Sequence, residues 1–244
     1  MNADSPLLHL ADFLYRRFYF FYRLLYRIYK AISDRQERAW IKSNVTPGME
    51  VADIGANVGD YTEFMARLVT QTGLVHSFEP DKNNYEKLVR LTRKWKHIRT
   101  YNSAVSNEDS TTTFYTSRYL NTDNRIYPDE SVLSESYEVE TVRLDSVFAC
   151  DQLDFIKMDI EGAELLALQG GEVLLKSSEK LKILLEVWPY GLKKSGASFE
   201  ALIQALERAG YQYTFIGNDF SIDAARAGVF DTDIGVYANL LAFR

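Results

Sequence analysis

Beyond residue 45, short apolar runs alternate with amphipathic stretches along the chain. Short apolar runs bounded by turn residues are typical of buried strands, and apolar positions that recur every 3.6 residues are typical of helices. The predicted strands are 51–54, 74–78, 98–102, 154–158, 181–187, 211–216 and 236–243. The predicted helices are 60–69, 81–94, 161–176 and 198–209. This alternation predicts an α/β fold whose mainly parallel sheet is covered by helices on both faces.

Two segments depart from the alternation. No helical pattern separates strands 211–216 and 236–243, so we expect these two strands to pair antiparallel. Residues 106–135 are rich in Ser, Thr, Asn and Asp and include a β-like run, which predicts a hairpin with a surface loop. An insertion of this kind in a repeating α/β chain is a candidate substrate lid.

The N-terminal part of the chain has a different pattern. Residues 13–30 contain nine of the 33 aromatic residues, together with five basic and no acidic residues. On a helix, the apolar, tyrosine and basic positions fall into separate stripes, and five cations in 18 residues argue against a membrane-spanning helix. Two interpretations remain open: an amphipathic helix lying at a membrane surface, or a helix over 13–32 that docks on this chain or on a second subunit.

We therefore divide the chain into an N-terminal amphipathic helical segment, 1–42, and an α/β domain, 43–244. We expect the protein to be cytoplasmic, and, under the membrane-surface interpretation of the helix, peripheral at the inner face of the membrane. Residues 1–40 carry a net charge of +3, so the remaining 204 residues carry −9. Such an acidic body argues against nucleic acid as a partner. A single cysteine and three scattered histidines indicate neither a disulfide framework nor a zinc site.

The first predicted strand runs into a glycine-containing loop, Asp53-Ile54-Gly55-Ala56-Asn57-Val58-Gly59-Asp60. A glycine after a buried strand lets the backbone turn tightly and lets a ligand approach the main chain. The dinucleotide pattern Gly-x-Gly-x-x-Gly is not met, because its second and third positions are Asn57 and Asp60. Since Asp60 at the helix start would repel a pyrophosphate, a nucleoside ligand without phosphates, S-adenosylmethionine, fits better.

An acidic residue follows the second predicted strand. Glu79 lies 24 residues beyond Gly55, at a strand end where a carboxylate can accept both hydroxyls of a ribose. The alternative role of capping the next helix is better filled by Asp81. These positions predict a cofactor site formed by Asp53, Gly55, Asn57, Gly59 and Glu79.

Four segments resemble the FkbM family of S-adenosylmethionine-dependent methyltransferases: VADIGANVGDYT at 51–62, FEPD at 78–81, VRLDSV at 142–147 and DFIKMDIEGAE at 154–164. LLEVWP at 184–189 resembles the strand that follows, so the resemblance covers roughly 45–190. It implies the class I methyltransferase fold, a Rossmann-like seven-stranded sheet with one antiparallel strand. It also implies that Ala104 lies near the adenine, and that a hydroxyl on a glycan or other natural-product acceptor is methylated. If the N-terminal helix lies at a membrane, we expect a lipid-linked or membrane-associated acceptor.

The catalytic candidates lie at the ends of the fourth and fifth predicted strands, 154–158 and 181–187. Asp159 stands at the carboxyl end of that strand, where ligands bind in open α/β sheets, and is the first candidate for base or acceptor anchor. Lys157 lies on the same strand face and can keep Asp159 ionised. Glu161 and Glu186 complete the set, although Glu161 and Glu164 are equally explained as acids in the first turn of a helix.

Several alternatives stay open at this level. Asp159, Glu161 and Glu186 could converge as ligands of a divalent cation, but no spacing demands a metal, so we predict none. The methylated atom can also be nitrogen or carbon, and a non-catalytic scaffold that binds the cofactor is a further alternative. Trp188 and Tyr190 either stack on a sugar ring or cover the edge of the sheet.

Overall fold

The computed structural model describes residues 33–117, 124–127, 134–149, 152–216 and 220–244, together with positions 17, 18, 25 and 30. Most of the predicted amphipathic helix, 13–32, lies outside the described residues, so its form stays a prediction. No helix within the described residues is long and apolar enough to cross a membrane.

The described residues form ten strands and nine helices. The strands are β1 (Glu50–Ile54), β2 (Leu74–Phe78), β3 (Ile98–Tyr101), β4 (Ala104–Val105), β5 (Ser110–Ser117), β6 (Ser134–Val142), β7 (Phe155–Met158), β8 (Lys182–Val187), β9 (Gln212–Ile216) and β10 (Ala238–Phe243). The helices are α1 (Arg35–Asn44), α2 (Asp60–Val69), α3 (Lys82–Thr92), α4 (Leu144–Val147), α5 (Glu164–Gly170), α6 (Glu172–Ser177), α7 (Pro189–Lys194), α8 (Phe199–Arg208) and α9 (Ile222–Arg226).

The large sheet has seven strands in the order β3-β2-β1-β7-β8-β10-β9. Its strands are parallel except β10, which pairs antiparallel with both β8 and β9. The predicted α/β class and the antiparallel pairing of the last two strands are therefore confirmed. The expectation that no helix separates these strands is wrong, because α9 lies between them. Five residues are too few to show a helical period in the sequence.

The helix predicted over 161–176 is also divided. It begins only at Glu164 and breaks at Gly171 into α5 and α6. Glu161 precedes the helix in a left-handed conformation (φ 54°), so the interpretation of Glu161 as a first-turn acid is wrong. The apolar period continues through the break, which is why the sequence suggested one helix.

Alternate residues of the central strands pack on opposite faces of the sheet. Ile54, Ile156 and Leu185 belong to one core cluster, whereas Val51, Phe155 and Leu184 belong to the other. Helix α1 covers the second cluster, where Ile41 is completely buried. The first helix of the described chain is thus packed against the sheet.

The predicted hairpin is present as a small sheet in the order β4-β6-β5. Its strands β5 and β6 pair antiparallel over their full length. Tyr115 and Arg125 also form an antiparallel bridge, which returns residues 124–127 toward the main body. In the described part of the chain, the insertion therefore forms most of a second, three-stranded sheet.

Candidate active site

The loop between β1 and α2 is pressed against its neighbouring strands. The amides of Gly55 and Ala56 both donate to the carbonyl O of Phe78, at 3.0 and 2.9 Å. Gly55 has φ 81°, and a Cβ built there would lie 1.9 Å from the carbonyl O of Asp159. Only glycine can therefore occupy position 55 without moving the end of β7.

Glu79 directly follows β2 and contacts this loop. The carboxylate accepts hydrogen bonds from the amide of Asn57 at Oε2 (2.7 Å) and from the amide of Asp81 at Oε1 (2.9 Å). Burial raises the pKa of Glu79 to about 8, against the opposing effect of these amides. Each carboxylate oxygen keeps a lone pair for a ligand hydroxyl. The structure thus brings the predicted loop and the predicted ribose-binding acid into direct contact.

Asp53 lies beneath the loop and is completely buried. Its Oδ2 accepts a hydrogen bond from Thr62 Oγ1 at 2.6 Å, while Oδ1 has no partner within the described residues. Burial raises the pKa of Asp53. A buried acceptor without a donor is costly, and the ammonium group of S-adenosylmethionine is a donor of suitable charge. The residues at this site therefore fit the predicted cofactor.

Two other predicted cofactor residues pack against protein. A Cβ at Gly59 (φ 92°) would lie 2.7 Å from Leu88 Cδ1, so this glycine lets α3 approach α2 closely. Ala104 is 7% exposed and packs with Phe114 and Val139 of the hairpin sheet. Their roles in cofactor binding remain predictions.

Lys157 and Asp159 form an ion pair at the carboxyl end of β7, with 3.1 Å between Nζ and Oδ2. Burial alone would raise the pKa of Asp159, but the charges of Lys157 and Lys30 outweigh it and hold this pKa below its ordinary value. Burial likewise opposes the charge on Lys157, yet Asp159 and Asp53 raise its pKa. Both shifts favour the ionised pair.

Glu186 stands near the end of the neighbouring strand β8. Burial, with the nearby charge of Asp159, raises the pKa of Glu186 to about 8. Two carboxyl groups this close do not both ionise readily, and the lysine is bonded to Asp159. At neutral pH, Asp159 therefore carries the charge and Glu186 carries a proton.

A hydrogen-bond network between the start of α1 and the sheet edge was missed by the sequence interpretation. Tyr61 OH lies 2.9 Å from Asp34 Oδ2 and 2.7 Å from Glu37 Oε2, and Glu37 Oε1 accepts from Asn239 Nδ2 at 2.6 Å. One phenolic proton cannot serve two carboxylates fully, and burial raises the pKa of Glu37. Lys157 Nζ lies 4.8 Å from the centre of the Tyr61 ring, which connects this network to the ion pair.

The hairpin segment 124–127 returns to the same edge of the sheet. Tyr127 OH donates to the carbonyl O of Glu161 at 2.6 Å, and the Arg125 guanidinium lies 5.3 Å from the Trp188 ring. Trp188 is 7% exposed and donates from Nε1 to the carbonyl O of Ile234 at 3.1 Å. These contacts indicate that Trp188 covers the sheet edge.

Glu164 organises the turn that carries Glu161. Its Oε1 accepts from the amides of Ile160 and Gly162 at 3.3 and 3.2 Å, and the side chain is 1% exposed. Its position in the first turn of α5 and these two contacts give it a structural role. Among the described residues, no group of three or more His, Cys, Asp or Glu side chains is arranged to hold a metal ion.

The strand order, the glycine loop and the acid at the end of β2 define a class I methyltransferase fold. Residues 53–213 match the family model described as the methyltransferase FkbM domain. The chain therefore belongs to the FkbM methyltransferase family, and its cofactor is S-adenosylmethionine.

Solved structures support the fold. The chain is similar to a Clostridium thermocellum protein assigned as an rRNA methylase, with a TM-score of 0.53, 12% identity and coverage of 86% of this chain and 94% of that one. It is also similar to Aeropyrum pernix fibrillarin, which was crystallised with S-adenosyl-L-methionine, with a TM-score of 0.50, 12% identity and coverage of 85% and 74%. No curated protein sequence matches the chain.

Proposed function

We propose that the protein methylates a hydroxyl group on a glycan, a lipid-linked compound or another natural product, and that Asp159 accepts the hydroxyl proton. The observation that carries this proposal is the ion pair of Asp159 with Lys157 beside Glu186, at the ends of β7 and β8. The pKa of Asp159 is lowered, whereas that of Glu186 is raised. A protonated hydroxyl is a poor nucleophile and benefits from a positioned base that is ionised at neutral pH. The lowered pKa of Asp159 supplies that ionised form, although it also limits the strength of the base.

S-adenosylmethionine, when bound, supplies an electrophilic methyl group. Asp53 would accept from its ammonium group and Glu79 from its ribose hydroxyls, and the loop at Gly55 and Asn57 would help to hold it. Lys157 keeps Asp159 ionised, and the protonated Glu186 can donate a hydrogen bond to the acceptor. Much of the rate enhancement then comes from alignment of the acceptor oxygen.

The test is methyl transfer by the full chain. Calorimetry with S-adenosylmethionine measures binding, and transfer of tritiated methyl groups to glycolipid extracts measures turnover. We expect Asp159→Asn to lose about 100-fold in turnover with cofactor affinity unchanged within about twofold. The control is Asp223→Asn, which removes an exposed carboxylate on α9.

Two results would redirect the proposal. Cofactor binding without turnover on any acceptor would favour a non-catalytic scaffold. Labelled product that carries the methyl group on nitrogen or carbon would replace the hydroxyl acceptor.

Attachment to a membrane through residues 13–32 belongs to the same proposal. It is supported by the separate apolar, tyrosine and basic stripes of that segment. The full chain should float with vesicles that contain anionic lipid, and a chain lacking residues 1–32 should not. Equal flotation of both chains would leave pairing with a second subunit as the role of the segment.

A further inference from the structure

A cavity of about 570 Å³ lies at the carboxyl edge of the sheet, between α1 and the segment that joins β9 to β10. Its volume is in the range of pockets that take small organic ligands. The residues assigned above to the cofactor, Asp53, Gly55, Asn57 and Glu79, are not among those that line it. The cavity is therefore distinct from the predicted cofactor site.

One end of the cavity is polar and adjoins the catalytic candidates. Glu37 and Asn239 line it and are hydrogen-bonded to each other at 2.6 Å. Asn239 is also the register partner of Glu186 in the pairing of β10 with β8. A ligand hydroxyl at this end would therefore lie next to the strand position that carries Glu186.

The wall of the cavity is aromatic. Phe215 and Phe220 have ring centroids 4.6 Å apart, and Phe220 and Phe230 have centroids 5.4 Å apart. All three rings are half-buried and line the cavity. Such a cluster of aromatic rings favours an apolar ligand group over an anionic one.

The segment that borders the cavity is apolar at the surface as well. Val229, Ile234 and Tyr237 are 61%, 59% and 62% exposed, and they are three of eight exposed large hydrophobic residues in the described chain. Val229 and Ile234 adjoin the lining residues Phe230 and Gly235, and Tyr237 itself lines the cavity. Clustered exposed apolar side chains of this kind mark a site of interaction.

We propose that this cavity is the acceptor subsite and binds the alkyl or isoprenoid chain of a hydroxyl-bearing amphiphile, with the polar head group, which carries the reacting hydroxyl beyond the cavity, at Glu37 and Asn239. The inference rests on the proposed function, which it narrows to amphiphilic acceptors. The cavity combines a polar end, an aromatic wall and an apolar rim, and an amphiphile needs all three.

The test compares two ligands with the same head group, n-octyl β-D-glucoside below its micelle concentration and methyl β-D-glucoside, each titrated into the full chain by calorimetry. We expect the octyl compound to bind at least about tenfold more tightly, because its chain is removed from water. Equal binding of the two glucosides, or no binding of either, would overturn the inference.

Gly235→Trp tests the location. Gly235 lines the cavity, and a Cβ there meets only Asp233 Oδ1, at 3.4 Å, so the site has room for a larger side chain. We expect octyl glucoside to bind at least about tenfold more weakly to this variant, with S-adenosylmethionine affinity unchanged within about twofold. Unchanged octyl glucoside affinity in the variant would contradict the location.

A rim variant provides a second measurement that does not depend on the folding of Gly235→Trp. Val229→Ser with Ile234→Ser should weaken octyl glucoside binding, whereas Val173→Ser, at a 55% exposed position on α6, should not. Equal effects at both sites would overturn the inference. The full chain could instead bind octyl glucoside more tightly than methyl glucoside but fail to bind S-adenosylmethionine. That result would refute the proposed function, and the cavity would remain a binding site for amphiphiles.

Discussion

At the scale of single residues, protons are distributed unequally among carboxyl groups that lie close together. Asp159 is bonded to Lys157 and has a lowered pKa, whereas burial and the charge of Asp159 raise the pKa of Glu186 to about 8. Lys157 therefore determines which of the two groups is available as a base at neutral pH.

Replacing the lysine tests this assignment. In Lys157→Met, the pKa of Asp159 should rise, so the acid limb of the pH profile of turnover should move to higher pH. We expect turnover at pH 7 to fall by about 100-fold. Lys176→Met is the control, because Lys176 pairs with Glu172 on the surface of α6. An unmoved acid limb would show that Lys157 does not set the charge of Asp159.

Glu79 gives a second prediction, for cofactor binding. Its pKa is raised to about 8 in the free chain, and ribose hydroxyls donate preferentially to the ionised carboxylate. Binding should therefore release a proton, and affinity should increase as the pH rises from 6 to 9. Glu79→Gln should weaken binding by about tenfold or more and flatten this dependence.

A matched carboxyl group separates this effect from a general effect of pH. Glu164 also has a raised pKa, about 7, but its hydrogen bonds are to the turn before α5. Glu164→Gln should keep the pH dependence of cofactor affinity. Equal flattening in both variants would contradict the role of Glu79.

Some residues of the candidate site could be predicted from the sequence, and others could not. Asp53, Glu79 and Asp159 could be found because each lies at a strand end, and the ends of parallel strands meet at one edge. Glu37 and Tyr61 could not be found, because their contact depends on how α1 packs across that edge. Local patterns carry no information on such packing.

At the scale of elements, most bounds followed from the apolar period. Helix 60–69 and strand 74–78 agree with α2 and β2 at both ends. The single helix predicted over 161–176 failed because its first turn is set by a distant contact. Gly162 has a φ of 98°, and a Cβ there would lie 2.3 Å from the carbonyl carbon of Gly191, so both the turn and its packing on α7 require glycine.

The loop between β1 and α2 can be tested at the same scale. Gly55→Ala introduces a left-handed alanine and a collision with the Asp159 carbonyl, so the free energy of unfolding should fall by more than about 2 kcal/mol. Gly196→Ala has a similar φ, 83°, but nothing lies within 4 Å of its added Cβ. It should cost about 1 kcal/mol. If urea unfolding showed the same loss of unfolding free energy in both variants, the neighbouring backbone would have moved to relieve the collision at position 55.

At the scale of the whole molecule, the fold buries acids that would otherwise be ionised. Burial raises the pKa values of Glu37, Asp53, Glu79, Glu164 and Glu186, whereas it lowers the pKa of His76. The folded state therefore holds more protons than the unfolded state between the ordinary carboxyl pKa and about 8. Its stability must fall as the pH rises through that window.

Urea unfolding of the cofactor-free chain measures this linkage. We expect the free energy of unfolding to be lower at pH 8 than at pH 5.5 by more than about 2 kcal/mol, since one pKa unit corresponds to about 1.4 kcal/mol. His76 acts in the opposite direction but is a single group. Glu164→Gln should reduce the slope, and a stability that rises with pH would contradict the assignment of these protons.

The position of β10 has a consequence for synthesis of the protein. This strand is the last of the seven to leave the ribosome, yet it lies between β8 and β9. Until it emerges, the nascent chain exposes unpaired strand edges, and such edges promote association between chains. A chain that stops before residue 238 should therefore aggregate or be degraded, and co-translational folding of this sheet cannot finish before β10 has emerged.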